Sequence, residues 1–165
     1  MLHISRRSKI DHPEARRALS AADGYLYLGM AEEALAELNE ISPAKQQAPA
    51  VLLARIRVLL HLRKYEQAEK LSRGGTAAHP EEEEFTVQRA FALHKLQKSD
   101  EAVEVISAAP EWIRRTGILH YNLACYEARL GDLAVARQCI DAAIQLNAAI
   151  KRNARVDPDL QALWN

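Results

Sequence analysis

Apolar residues between positions 119 and 146 recur at steps of three and four, the spacing of one face of an α-helix. A first stripe contains Leu119, Leu123, Tyr126 and Leu130, and a second contains Leu133, Ala136, Ile140, Ala143 and Ile144. Between the stripes, Gly131 suits the positive φ of a helix C-terminus, and Asp132 is a candidate N-cap for the next helix. The pattern therefore predicts an antiparallel helical hairpin with a short turn.

The same pattern repeats along the chain with a period of 34 residues. One column contains Ala34, Ala68, Ala102 and Ala136, a second contains Leu28, Leu62, Leu96 and Leu130, and a third contains Ala22, Ile56, Ala90 and Ala124. Small residues that face each other let the two helices of a hairpin approach closely. The period divides the chain into four repeats, 15–48, 49–82, 83–116 and 117–150. We expect them to form a single domain covering residues 1–165, because each hairpin must bury its apolar faces on a neighbour.

A 34-residue period of helix–turn–helix units resembles the tetratricopeptide repeat (TPR) family. The last repeat is the most similar, with Leu123, Ala124, Gly131, Ala136 and Ala143 at the positions that the family prefers. Its YNLACY hairpin and the later DPDL…LW segment are similar to many bacterial TPR-containing proteins. The resemblance implies an all-α fold, a right-handed α-solenoid of four TPR-like hairpins. A C-terminal capping helix, within residues 151–165, is expected to cover the last repeat.

Proline, glycine and serine residues set the expected limits of the helices. Pro13 and Pro49 are expected to open helices, and Ser99 is expected to cap the helix that follows it. Gly74 and Gly75 are expected to end the second helix of their repeat early, near residue 73.

Beyond the last repeat, residues 147–156 are predicted to form one further helix, followed by a turn that begins at Asp157 and Pro158. The expected capping residues are Ile150, Leu160, Leu163 and Trp164. At the other end, residues 1–11 are expected to form an irregular or partly ordered leader.

Composition excludes several classes of protein. The 22 basic and 22 acidic residues give a formal net charge of +0, so no overall field favours nucleic acid or a membrane surface. Two cysteines are too few for a disulfide framework. No apolar run has the length of a membrane span, and the basic N-terminus lacks the apolar region of a secretory signal. We therefore expect a cytoplasmic protein.

In the TPR family, the first helix of each repeat lines a concave groove, and the resemblance places twelve residues of this chain there. They are Leu19, Asp23, Leu26, Leu53, Arg57, Leu60, Val87, Phe91, His94, Tyr121, Asn122 and Cys125. We call them the predicted groove residues. They are mostly apolar, and an exposed apolar concavity usually marks a partner site, here for a helix or an extended peptide. The alternative is that they are core residues covered by the N-terminal segment or by a second copy of the chain, so the protein is a monomer or a homodimer.

One family-specific site is absent. Members that bind the C-terminal carboxylate of chaperone tails use a Lys and an Asn at the fifth and ninth positions of a repeat, an Asn at the sixth position of the next, and basic residues in the third. Asn122 occupies one sixth position, but the fifth positions are all apolar or aromatic and no ninth position is Asn. Glu84 and Gln88 stand where basic residues are needed. We predict no binding to such tails.

Catalytic and metal-binding patterns are equally weak. The six histidines show neither His-x-x-x-His spacing nor a nearby Cys-x-x-Cys pair, so neither a metal nor another cofactor is expected. Cys125 with His120 or His94 is a conceivable nucleophile pair, but no orienting third group accompanies it. No Gly-rich phosphate loop and no basic stripe with aromatic residues is present, so we expect neither an enzyme nor a nucleic-acid-binding protein.

The sequence therefore predicts a non-catalytic scaffold or adaptor for protein–protein interaction that binds a peptide or helix in an apolar concave groove. The alternative is a small TPR chaperone that shields the apolar segments of a secreted or assembling client. Which partner and which pathway are involved is left open by the sequence.

Overall fold

The structure is a computed structural model that describes residues 13–164. This part of the chain contains ten α-helices and no strand. The helices are α1 (Pro13–Tyr27), α2 (Ala31–Asn39), α3 (Pro49–His61), α4 (Tyr65–Ala78), α5 (Glu83–Lys95), α6 (Ser99–Ser107), α7 (Glu111–Arg114), α8 (Gly117–Leu130), α9 (Leu133–Leu146) and α10 (Ile150–Val156). Two 3-10 turns, Pro43–Lys45 and Pro158–Leu163, complete it. The expected leader, residues 1–11, lies outside the described residues.

The described chain divides into two compact units, and the division falls within α5. Unit 1 comprises residues 13–88, and unit 2 comprises residues 89–164. In unit 1, α1 packs against α2, α3 packs against α4, and α3 also contacts both helices of the first hairpin. In unit 2, α8 packs against α9 and α6, and the turn Pro158–Leu163 lies on α8 and α9.

Four turns with the same backbone conformation join the helices of the four hairpins. Each contains one residue with positive φ: Gly29 (75°), Arg63 (56°), Gln97 (64°) and Gly131 (91°). The next residue donates its N–H to a carbonyl five residues back, in the bonds Met30→Tyr25, Lys64→Leu59, Lys98→Leu93 and Asp132→Glu127. These bonds are those of the Schellman motif, which satisfies carbonyls left free at a helix end. Since successive turns are 34 residues apart, the sequence period is also a period of the backbone.

Closely packed pairs of residues hold the two helices of each hairpin together. The facing columns are completely or almost completely buried at all eight positions, Ala22, Ala34, Ile56, Ala68, Ala90, Ala102, Ala124 and Ala136. In unit 1, Leu38, Ile41, Val51 and Val58 extend this contact into a core. The predicted role of the small residues is therefore consistent with their burial.

The prediction that Gly74 and Gly75 end a helix is wrong. Helix α4 continues to Ala78, and Gly75 is buried inside it. A Cβ atom at Gly75 would overlap the aromatic ring of Phe85, the first buried residue of α5. A glycine in a helix costs only about 1 kcal/mol relative to alanine, so a close contact of this kind can be retained within an intact helix.

Two further expected boundaries differ from the structure. Ser99 is the first residue of α6 and does not cap it; Lys98 occupies the N-cap position, and its side chain does not cap the helix there. The Ser99 hydroxyl instead lies 3.0 Å from Nδ1 of His94. Residues 147–156 do not form one helix, because Asn147 is extended and its side chain accepts a hydrogen bond from the Ala149 N–H at 3.1 Å. Helix α10 begins only at Ile150.

The left-handed turns predict the effect of glycine at positions 63 and 97. In this conformation a residue with a Cβ destabilises the folded state by about 1–2 kcal/mol, and glycine removes that strain. Glycine also gives the unfolded chain more conformational entropy, which offsets about 0.5–1 kcal/mol of the gain. Arg63→Gly and Gln97→Gly should each raise the free energy of unfolding by about 0.5–1 kcal/mol, measured in urea. Lys64→Gly, at a neighbouring residue with φ −84°, is the control and should bring no gain. A loss of stability in both turn variants would contradict this account.

The glycine pair in α4 predicts opposite effects of one substitution at adjacent positions. Gly75→Ala should lower the free energy of unfolding by about 1–3 kcal/mol, because the new methyl group forces Phe85 to move. Gly74→Ala should be neutral or stabilising by up to about 1 kcal/mol, since nothing lies within 4 Å of its Cβ position and alanine is the better helix former. Equal effects in urea unfolding would show that the Phe85 contact does not determine the choice of Gly75.

Candidate functional site

The apolar predicted groove residues of unit 1 lie on α1, α3 and the start of α5, and we call Leu19, Leu26, Leu60 and Val87 the apolar row. Leu19, Leu26, Leu60 and Val87 are half-buried, whereas Leu53 is only 8% exposed. Leu19 and Leu26 also pack against the core of the first hairpin. These side chains therefore support the fold on one side and present apolar surface on the other.

An ion pair joins the two charged groove residues of unit 1. Arg57 Nη2 lies 3.0 Å from Asp23 Oδ1, and the two residues hold the same position in successive repeats, 34 residues apart. Their side chains are 40% and 61% exposed, so water screens the attraction and the pair adds little stability. The Nε atom of Arg57 is buried and has no hydrogen-bond partner within residues 13–164.

A separate cleft of about 470 Å³ lies in unit 1. Its walls combine apolar and polar side chains of α3, α4 and the loops beside them: Gln47, Leu52, Leu59, Gln67, Lys70, Leu71, Gly74, Gly75, Ala78 and His79. None of the predicted groove residues lines it.

In unit 2, three of the predicted groove residues, His94, Tyr121 and Cys125, contact the chain itself. Residues 157–164, which we call the closing segment, place two aspartates on helices α5 and α8. Asp157 accepts a hydrogen bond from the Tyr121 hydroxyl, and the Cys125 thiol lies 3.8 Å from the same carboxylate oxygen. The other oxygen accepts the backbone N–H of Asp159 at 2.9 Å. The first aspartate thus joins α8 and also fixes the conformation of the closing segment.

Asp159 is the second anchor, and three basic side chains surround it. His94 Nε2 lies 3.0 Å from Oδ2, and Lys95 Nζ lies 3.6 Å from the same atom. Arg129 Nε lies 3.9 Å from Oδ1. Because His94 and Lys95 belong to α5 and Arg129 belongs to α8, one carboxylate connects two helices of unit 2.

The protonation of His94 follows from its partners. A carboxylate can only accept, so Nε2 carries the proton and donates it to Asp159, and Nδ1 accepts from the Ser99 hydroxyl at 3.0 Å. Burial lowers the pKa of His94 more than the hydrogen bond and charge of Asp159 raise it. The ring, 4.7 Å from that of Tyr126, is therefore neutral at pH 7.

The pKa of Asp159 is shifted in the direction that keeps its carboxylate charged. Burial alone would raise it, but the hydrogen bond from His94 and the positive charges of Lys95 and Arg129 outweigh that effect, so the pKa lies below its usual value. Asp159 is an anion at neutral pH, facing two cations and one neutral donor.

Neither Cys125 nor Ser99 is arranged as a nucleophile. Burial, reinforced by the charge of Asp157, raises the pKa of the Cys125 thiol well above its ordinary value, so the thiolate is not populated at neutral pH. Both nitrogens of His94 are engaged with Ser99 and Asp159, which leaves none for Cys125. Ser99 and His94 are 7% and 4% exposed, and their hydrogen bonds hold two helices together within unit 2.

Apolar side chains complete the seating of the closing segment. Leu160 and Leu163 are buried, and the indole N–H of Trp164 donates to the Ala154 carbonyl at 3.0 Å. The Arg137 guanidinium lies 5.1 Å from the Trp164 ring centroid and donates to the Leu163 carbonyl. The expected capping residues therefore do pack on the last hairpin, together with half-buried Ile150.

Sequence reasoning missed the acidic anchors and their basic partners. Lys95 and Arg129 hold one position in successive repeats, and Asp157 and Asp159 stand two residues apart. A basic column and a nearby acidic pair were the available signal, but nothing in the sequence showed that the segment returns to α8.

No family model matches the chain, and no curated protein matches it in sequence. Several solved structures share its fold. MamA 41-end from Desulfovibrio magneticus RS-1 has a TM-score of 0.68 at 19% identity, over 83% of this chain and 77% of that chain. MamA MSR-1 has a TM-score of 0.64 at 20% identity, over 80% and 76%. The expected fold class, an all-α solenoid of TPR-like hairpins, is confirmed.

Among residues 13–164, no helix combines the length and the apolar character that crossing a membrane requires. The same residues contain no group of three or more His, Cys, Asp or Glu side chains arranged to hold a metal ion.

The lowered pKa of His94 predicts a loss of stability in mild acid. The unfolded chain takes up a proton on this ring as the pH falls below about 6.5, whereas the folded chain resists it. The free energy of unfolding should therefore decrease from pH 7.5 to pH 5, by at most about 1.4 kcal/mol per pH unit for one proton. His94→Gln, which keeps an N–H donor but does not titrate, should flatten this slope in urea unfolding.

His61→Gln at an exposed position is the matched control and should leave the slope as it is in the wild type. Identical slopes in the wild type and His94→Gln would refute the role of the buried ring.

Proposed function

We propose that this chain is a non-catalytic scaffold or adaptor that binds a peptide or helix of a partner protein on the predicted groove residues of unit 1. The observation that carries the proposal is the row formed by Leu19, Leu26, Leu60 and Val87. Leu26 and Leu60 hold the same position in successive repeats, Leu19 and Val87 share another position in the first and third repeats, and all four side chains stay partly exposed. Partly exposed apolar side chains on several helices suit a ligand that has several apolar anchors.

The ion pair of unit 1 adds a polar requirement. Asp23 and Arg57 remain accessible to solvent beside the leucines. A ligand that covers them must supply polar groups of its own or leave the pair in contact with water, because charges buried without partners are costly. The favoured ligand is therefore an amphipathic helix or a mixed extended peptide rather than a purely apolar one.

The shared fold with MamA supports an interaction role only by analogy, since one fold hosts many functions. The surface of unit 1 is the stronger support. The buried free thiols of Cys125 and Cys139 favour a reducing compartment, so a cytoplasmic location belongs to the same proposal.

A chaperone for apolar clients is the second candidate. It is favoured by the exposed apolar side chains at the turn between α1 and α2, where Tyr27 is 92%, Leu28 68% and Met30 37% exposed. A chaperone of this kind would hold its client transiently and could use the same turn to form a dimer. Size-exclusion mass with and without an apolar helical peptide separates the two: a dimer that opens on peptide addition favours the chaperone.

The scaffold proposal is tested by charge substitution in the row. Leu60→Glu combined with Val87→Glu should abolish the capture of specific partners in pull-downs quantified by mass spectrometry, because two carboxylates would be buried under an apolar ligand. Leu130→Glu combined with Leu146→Glu is the matched control, since both leucines are at least half exposed and lie outside the predicted groove residues. Circular dichroism verifies that both double variants fold. If the row variant captures the same partners as the control, this surface is not the binding site.

A further inference from the structure

The closing segment is seated like a bound peptide. Inward and exposed side chains are interspersed along it: Asp157, Asp159, Leu160, Leu163 and Trp164 contact the unit, Pro158 and Ala162 are exposed, and the exposed Gln161 donates to the Arg155 and Asp157 carbonyls. Two carboxylates and two leucines therefore carry the attachment. This pattern of a few anchors separated by free positions is typical of peptide recognition.

The basic side chains that hold Asp159 are positioned by contacts that do not involve the closing segment. His94 is fixed by the Ser99 hydroxyl and by the Tyr126 ring. Lys95 Nζ lies 5.2 Å from the centroid of Phe91. Arg129 donates to the Gln97 side chain at 2.7 Å. Since α5, α6, α8 and the turn at Gln97 supply these contacts, the donors to Asp159 keep partners that do not belong to the closing segment.

The chemistry of the site is more selective than a simple cap requires. Leucines alone would cover the apolar surface of the last hairpin, and removing carboxylates from water carries a desolvation cost that apolar side chains avoid. Asp159 meets His94 and Lys95 at one carboxylate oxygen and Arg129 at the other, so both oxygens face donors, an arrangement that favours a carboxylate over an amide. The Lys95 and Arg129 side chains are still 35% and 48% exposed, so an incoming ligand can reach them.

We propose that this surface of unit 2 is a binding site for an acidic peptide of a partner protein, of the form Asp-x-Asp-Leu with a second apolar residue three positions later, and that the closing segment occupies the site in cis. The ligand is recognised by internal side-chain carboxylates, so the site differs from the carboxylate clamp for chain termini, whose residues this chain lacks. The site is independent of the apolar row in unit 1.

Occupation in cis determines how strongly a free peptide can bind. A segment tethered by a short linker competes at an effective concentration on the order of millimolar. A free peptide should therefore bind the wild-type chain weakly, and it should bind more tightly once the anchors of the closing segment are removed.

The test uses the full chain with Asp157→Asn and Asp159→Asn, and a fluorescein-labelled synthetic peptide of residues 154–164 as the probe. Fluorescence anisotropy should give a Kd for the double variant at least tenfold lower than for the wild type. A peptide with both aspartates replaced by asparagine should bind the double variant at least tenfold more weakly. Asp100→Asn with Asp141→Asn is the matched control, because it removes two exposed acidic groups elsewhere in unit 2 and should bind the probe like the wild type.

Three results would overturn the proposal: no binding to a double variant that is folded by circular dichroism, equal binding of the two peptides, or equal binding to the matched control. A wild-type dimer that dissociates in the double variant would also overturn it, in favour of segments exchanged between copies.

If the double variant does not fold, the wild type provides the measurement. Amide hydrogen exchange within residues 157–164 should accelerate at least threefold when millimolar acidic peptide is added and should not respond to the asparagine peptide. Unchanged exchange with both peptides would refute displacement.

Discussion

The close approach of two helices at paired small residues is the constraint on which every hairpin depends. Side chains no larger than alanine at seven of the eight facing positions leave the backbones free to come near each other. The Schellman turns reverse the chain between the paired helices within a few residues. Each turn also determines the residue at which the second helix begins, so the position of the turn and the packing of the two helices depend on each other.

Unit 2 adds an electrostatic constraint to this apolar one. A carboxylate that leaves water must be compensated by donors, and Asp159 obtains them from α5 and α8 together. The same requirement fixes the tautomer of His94 and the direction of the Ser99 hydroxyl. One acidic side chain thus determines the arrangement of several others, which an apolar contact, lacking direction, could not do.

Much of the fold could be predicted because it depends on local signals. Helical periodicity, the alanine and leucine columns and the glycine at position 131 all act within one hairpin, and the structure contains the hairpins they predict. Asp132 also caps α9 as expected, accepting the Val135 N–H at 3.0 Å. The predictions fail where a residue distant in sequence determines the local structure. Phe85 explains why a glycine is retained at position 75 inside a helix, and His94 explains why the Ser99 hydroxyl turns away from the helix end.

The candidate site was predictable only in part for the same reason. The TPR register identified which helix faces carry Tyr121, Cys125 and His94, but it contains no information on what covers them. The return of residues 157–164 to α8 depends on pairing across 36 and 65 residues, of Asp157 with Tyr121 and of Asp159 with His94. The hydrophobic periodicity of the sequence contains no information on such pairing.

The backbone bonds of the Schellman turns do not depend on the side chains of the turn residues, although Asp132 also caps α9 and Gln97 also accepts a hydrogen bond from Arg129. Main-chain groups alone close the bonds at Met30, Lys64, Lys98 and Asp132, whatever side chain is attached. The neighbouring positions can therefore change from polar to apolar over evolution without disturbing the hairpins, provided that one residue tolerates a left-handed conformation. These four turns could therefore acquire new binding specificity at little cost to folding. At the first turn, the exposed side chains of Tyr27 and Leu28 show how far the composition can depart from that of an ordinary polar surface loop.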